Sequence, residues 1–126
     1  MARILLIEAD KLIAANVRKI LKNQGHQVDW RVDPQSAIIS ADANTPDLVI
    51  LDLLLAGRSA AEFLYEFRSY PEWQRLPVII FSNIPADKVT LPLGAVLELN
   101  IAAVYSKTAT SLKTLAAGVN LALATA

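Results

Sequence analysis

Three short apolar runs, ILLI at 4–7, LVIL at 48–51 and VIIF at 78–81, constrain this chain more than any other feature. None alternates like a strand with one wet face, and none is long enough to be a helix. Successive strand side chains point to opposite faces, so a continuous apolar run needs cover on both sides. A parallel sheet sandwiched between helices supplies that cover. A fourth run, QVDWRV at 27–32, alternates, with Val28, Trp30 and Val32 on one side. It reads as a strand nearer the sheet edge. Residues 101–105, IAAVY, form a weaker fifth.

The segments between these runs carry helical periods. Asp10 is a candidate N-cap, Ile13, Val17, Ile20 and Leu21 form one stripe, and Gly25 ends the helix. Asp33 followed by Pro34 is a cap before a proline at the first helical position, opening a short helix to about Ala43. Ser59 and Glu62 have capping-box spacing, with Phe63, Leu64 and Phe67 as the buried face of a third helix. A fourth is expected over 86–99, its start blurred by Pro92. Thr110 is expected to cap a fifth, in which Leu112, Leu115, Val119 and Leu123 share one face. Strand and helix alternate five times, which predicts one doubly wound α/β domain over 1–126, built on a five-stranded parallel sheet.

Composition removes several classes of function. At 54% hydrophobic the chain has ample material for a core. Twelve basic and twelve acidic residues cancel, so no basic field draws it to a nucleic-acid backbone, and direct nucleic-acid binding is not expected. Cysteine is absent, which excludes disulfides, a thiolate nucleophile and Cys-type zinc. The apolar start is cut by acids after four residues, too short for a signal peptide or a membrane span, so a cytoplasmic location is expected. The glycines, at 25, 57, 94 and 118, form no GxGxxG motif and no P-loop. His26, the single histidine, follows Gly25 at a turn and is expected to be exposed, which leaves no Ser-His-Asp arrangement. Trp30 is expected to pack within its strand, and Trp73, in YPEWQRLP, to anchor the loop before strand four.

In open α/β sheets the site forms at the carboxyl ends of the strands. Strand one delivers Glu8 and Asp10, strand three Asp52, strand four Ser82 and strand five Lys107. The segments PDLVILDLLLAGRSAAEF and LPVIIFSN, with the spacing from Glu8 through Gly25 to Asp52 and Ser82, resemble the receiver domain of bacterial response regulators. That resemblance to the CheY-like family implies a (βα)5 flavodoxin-like sheet in strand order 2-1-3-4-5. It implies that Asp52 is a phosphoacceptor, its carboxylate attacking a phosphoryl group to give an acyl phosphate. Mg²⁺ would be held by Glu8, Asp10, Asp52 and the backbone carbonyl of Leu54. Ser82 would donate a hydrogen bond to the phosphoryl group and Lys107 would pair with it. The implied partners are a sensor histidine kinase or phosphotransfer protein and a downstream protein. Catalysis would extend no further than autophosphorylation and autodephosphorylation at Asp52.

The chain also departs from that pattern. Ala9 stands where the family has its second acid, and Asp10, as an N-cap, has oxygens committed to backbone amides. Ala56 and Ala60 replace a usual proline and glycine, and Thr108 replaces the proline after the family's lysine. A cis bond before a non-proline residue costs about 3–4 kcal/mol, so Lys107–Thr108 is expected to be trans. Tyr105 lies one place beyond the usual switch aromatic, whose slot holds Val104, and an offset of one turns a strand side chain to the other face. These departures predict a weakened magnesium site. They leave open an alternative, a phosphorylation-independent interaction module; a flavodoxin-like enzyme has only fold analogy behind it. The last segment, SLKTLAAGVNLALATA, carries one charge and offers Leu121 outside its apolar stripe. A homodimer or a partner contact is expected through 110–124.

Overall fold

The structure, a computed structural model, describes residues 2–54, 60–83 and 99–126. In chain order the elements are β1 (Arg3–Ile7), α1 (Lys11–Asn23), β2 (Gln27–Arg31), α2 (Pro34–Ala43), β3 (Leu48–Leu51), α3 (Ala60–Ser69), a 3-10 turn (Pro71–Trp73), β4 (Val78–Ser82), β5 (Ile101–Ser106) and α4 (Leu112–Thr125). All strand pairings are parallel, in the order β2-β1-β3-β4-β5. That is the doubly wound 2-1-3-4-5 sheet the sequence predicts. The residues of the expected fourth helix up to 98, with Ser59, Ala56, Gly57, Pro92 and Gly94, lie outside the described residues.

The apolar runs are buried on both faces, as their lack of alternation requires. Leu5, Ile7, Val49 and Leu51 point to one layer, where they meet Ala37 and Ala41 of α2, Phe63, Leu64 and Phe67 of α3, and Trp73. Ile4, Leu6, Leu48, Ile50 and Ile79 point to the other, against Ala14, Val17 and Leu21 of α1 and Leu115, Ala116 and Val119 of α4. Each buried Leu, Ile, Val or Phe side chain among these contributes roughly 1.5–3 kcal/mol. Trp73 is the predicted anchor, stacked on Phe67 with ring centroids 4.9 Å apart.

Three local expectations need correction. Val32 lies beyond the end of β2 and is exposed, whereas Val28 and Trp30 do pack on the α1 side. Ser111, not Thr110, caps the last helix, its side chain accepting from the Thr114 N–H. His26 is half-buried and hydrogen-bonded through both ring nitrogens.

Strand β5 carries one extra residue. Val78 pairs with Ile101 but Ile79 pairs with Ala103, so Ala102 is bulged and the following side chains change face. Ile101 therefore packs in the α2/α3 layer while Ala103 and Tyr105 pack in the α1/α4 layer. The Tyr105 ring lies across Gly118 so closely that a Cβ there would overlap its hydroxyl and stand 2.9 Å from Cζ. Glycine at 118 is what lets the ring sit on the helix.

The turn before β5 is held by Arg68, a residue the sequence does not single out. Its guanidinium donates to the carbonyls of Leu99 (2.8 Å), Trp73 (2.5 Å) and Asn100 (3.3 Å). Burial lowers its pKa to about 10, still well above neutral, so it stays charged. Asn100 adopts a left-handed φ of 53° and donates to the Arg75 carbonyl. Among the described residues no helix is long and apolar enough to cross a membrane. Replacing Arg68 with Leu strands these buried carbonyls and is expected to cost about 3 kcal/mol in urea unfolding. Arg68→Lys should recover only part of that loss, because one ammonium cannot reproduce the planar fork.

Candidate functional site

Three backbone hydrogen bonds carry the parallel ladder just past the strands and set the site. The Glu8 N–H donates to the Arg31 carbonyl (3.0 Å), the Asp52 N–H to Ile7 (3.0 Å) and the Lys107 N–H to Ser82 (2.8 Å). Residues 44 and 55 positions apart in sequence are thereby placed on one edge by strand register alone. The Trp30 indole N–H adds a bond to the Glu8 carbonyl (2.7 Å), so this tryptophan both packs and positions an acid.

The side chains close on each other. The Lys107 ammonium lies 2.6 Å from Glu8 Oε1 and 2.7 Å from Asp52 Oδ2, with all three side chains almost wholly removed from solvent. Glu8 Oε2 accepts from the Asp10 N–H, and Asp52 Oδ1 accepts from the Leu54 N–H, both at 3.0 Å. Burial raises the pKa of Glu8, with a smaller push from the Asp52 charge, and together they outweigh the opposing pull of Lys107 and the Asp10 N–H. Burial alone would lower Lys107, but its hydrogen bonds and charge pairing with Asp52 and Glu8 win and raise it. The lysine is therefore held as a cation between two acids. Its Nζ also stands 5.9 Å from the centre of the Phe81 ring.

The other expected site residues are placed as follows. Ser82 is fully buried at the end of β4, and its carbonyl receives the Lys107 N–H. Asp10 is exposed and caps α1, its Oδ1 accepting from the Leu12 and Ile13 N–H groups, as the sequence predicts. Ala9 is exposed beside it. Leu54 contributes its N–H to Asp52, and its side chain is exposed. No peptide bond among the described residues is cis, so Lys107–Thr108 is trans, and the Thr108 hydroxyl bonds to Ser106 Oγ (2.9 Å).

Mg²⁺ asks for a near-octahedral set of oxygens that are free to turn toward it. Here the space between Glu8 and Asp52 holds an ammonium, their outer oxygens accept backbone N–H groups, and Asp10 Oδ1 is engaged in the helix cap. Among the described residues no three acid, His or Cys side chains are grouped to hold a metal. In this arrangement Glu8 and Asp52 would have to release Lys107 or a backbone N–H before they could ligate the ion.

The model of the response regulator receiver domain matches residues 4–117. The chain belongs to the response regulator receiver domain family. Among its relatives, the KDP operon transcriptional regulatory protein KdpE of Escherichia coli (strain K12) is 32% identical over 98 residues, 75% of this chain and 42% of that protein. The chain spans well under half the length of the first curated relatives it matches. A sensor protein from Polaromonas sp. JS666 shares the fold with a TM-score of 0.86 at 18% identity, covering 98% of this chain and 96% of the other. The Mn(2+)-bound form of the response regulator Rcp1 shares it at 0.75 and 23% identity, covering 96% and 91%.

The lysine's role in this receiver is open to a direct test. Lys107→Met leaves two buried carboxylates facing each other and is expected to cost about 3 kcal/mol at neutral pH. Because the Glu8 pKa is raised above its ordinary 4.5, the folded state binds more protons than the unfolded chain just above that value. Stability from this group therefore grows as pH falls toward 4.5. Losing the ammonium raises Glu8 further, so the cost of the substitution should shrink at about pH 5. Urea unfolding at both pH values checks this; an equal cost at each would mean that Lys107 does not set the charge of Glu8.

Proposed function

We propose that this receiver accepts a phosphoryl group at Asp52 over a weakened magnesium site. The carrying observation is the Lys107 ammonium, 2.7 Å from Asp52 Oδ2 at the edge where β4 ends in Ser82. A carboxylate oxygen of Asp52 attacks phosphorus, the donor's bond to phosphorus breaks with its electron pair leaving on the donor, and an acyl phosphate remains. Lys107 then has new anionic oxygens to follow, and Ser82 would donate its hydroxyl proton to one of them. A sensor histidine kinase or phosphotransfer protein is the donor, and a downstream protein reads the result. Glu8 would contribute to a cation only by giving up a partner it holds, whereas Asp10 holds its cap through Oδ1 alone.

A second reading draws support from those same partners. Both oxygens of Glu8 and of Asp52 are already satisfied within the protein. A fixed, phosphorylation-independent interaction module needs no more than that. Intact mass after incubation with a small acyl-phosphate donor and Mg²⁺, with Asp52→Asn as control, separates the two. One phosphoryl adduct, absent from the control, is expected. Ala9→Asp should increase labelling and tighten Mg²⁺; a new contact of about 1.4 kcal/mol corresponds to about tenfold. No adduct in either protein, even with a histidine-kinase donor, would leave the fixed module.

The reading includes self-association through 110–124. Support comes from Leu121, 67% exposed on α4, beside a groove of about 490 Å³ lined by Ala103, Tyr105, Gly118 and Ala122. Light scattering at high concentration is expected to give a dimer, and Leu121→Lys a monomer. A wild-type monomer would remove this face from the proposal.

A further inference from the structure

The end of the sheet opposite the acid–lysine triad carries a hydrogen-bonded chain centred on His26. Gly25, at φ 88°, reverses the backbone after α1, and the His26 N–H returns to the Leu21 carbonyl (3.1 Å). The imidazole then stands between two elements far apart in sequence. Its Nδ1 accepts from the backbone N–H of Ala2 (3.2 Å), and its Nε2 lies 2.8 Å from Asn120 Oδ1 on α4. Asn120 Nδ2 donates onward to Gln24 Oε1 (2.7 Å).

These contacts determine the protonation state that suits them. A backbone N–H only donates, so Nδ1 must present a lone pair, and the ring proton sits on Nε2, where it donates to Asn120. A second proton would place an N–H on Nδ1 against the N–H of Ala2. Two donors cannot share that position, so the ring must turn and the bond to Ala2 is lost. The surroundings offer an imidazolium a place to go. His26 lines a groove of about 590 Å³ with Asp47 from the segment after α2, Glu72 from the 3-10 turn and Arg75 before β4. Arg3 of β1 bonds to Gln27 through its side chain and through its N–H to Asp47. Lys22 is in the last turn of α1, and Lys113, the sole charged side chain of α4, is in that helix's first turn. Two carboxylates therefore line the groove.

We propose that His26 is an acid-sensitive latch: neutral, it ties α4 to the start of β1, and protonated, it lets go and turns toward the carboxylates of Asp47 and Glu72. The latch sits away from Asp52 and works without phosphorylation. It changes how firmly the C-terminal half of α4 is held.

The test is nitrogen NMR of the full chain across about pH 8 to about pH 5. The high-pH spectrum should show the Nε2–H tautomer. On protonation, the Asn120 side-chain amide and the Ala2 N–H should shift with the same midpoint as the ring. After correction for the intrinsic slowing of amide exchange in acid, protection of the amides in 119–125 should then fall several-fold. In His26→Gln those amides should show no such transition. An Nδ1–H tautomer, or Asn120 and Ala2 signals that ignore the ring's titration in the wild-type protein, overturns the latch whether or not the variant folds.

Discussion

The ammonium of Lys107 is what allows two carboxylates to lie together at a nearly dry sheet edge. Unpaired, each would repel the other and lose its hydration with nothing in return. Paired, they need all three strand ends in register, because each member sits just beyond its own strand. The bond from Lys107 N–H to Ser82 joins the end of β5 to that of β4, and the bond from Asp52 N–H to Ile7 joins β3 to β1. The edge is therefore coupled to the sheet by backbone and to itself by charge. Displacing one member loads the other two.

The bulge at Ala102 has a consequence beyond local pairing. By changing the face of the residues after it, it commits Tyr105 to α4, where Gly118 leaves room for the ring. The aromatic that the sequence offers one position late thus stabilises the α1/α4 layer. The opening between Tyr105, Ala103 and Leu121 lies on the α4 side of β5, away from the acids.

Much of this was legible because it rests on local pattern. Runs such as ILLI and LVIL read as strands covered on both faces, and Asp10 and Asp33 as caps, because period and capping chemistry act over a few residues. Arg68 and His26 were not legible. Each is one polar residue whose partners lie elsewhere in the chain, Leu99 and Asn100 for one, Ala2 and Asn120 for the other. Trp30 was read for its bulk, while its bond to the Glu8 carbonyl depends on how β2 registers against β1. The caps Thr110 and Ser111 are adjacent hydroxyls, and composition cannot choose between neighbours. For the site, residue identities followed from strand ends, but the closure of Lys107 on both acids needed the geometry of the turn after β5.

Ala9 brings these constraints to one point. With a methyl group there, the next acid along the chain from Glu8 is Asp10, and Asp10 already caps α1 through Oδ1. Turning that Oδ1 toward a cation would give up a cap worth about 1 kcal/mol. It would also bring a third acid toward a pair balanced by a single lysine. A metal drawn to this edge would compete with Lys107 for Glu8 and Asp52 and would find Asp10 tied to α1 through Oδ1. The charge of Glu8 and Asp52 is met from within the chain, by a cation that strand register has already put in place and that no chelator can remove.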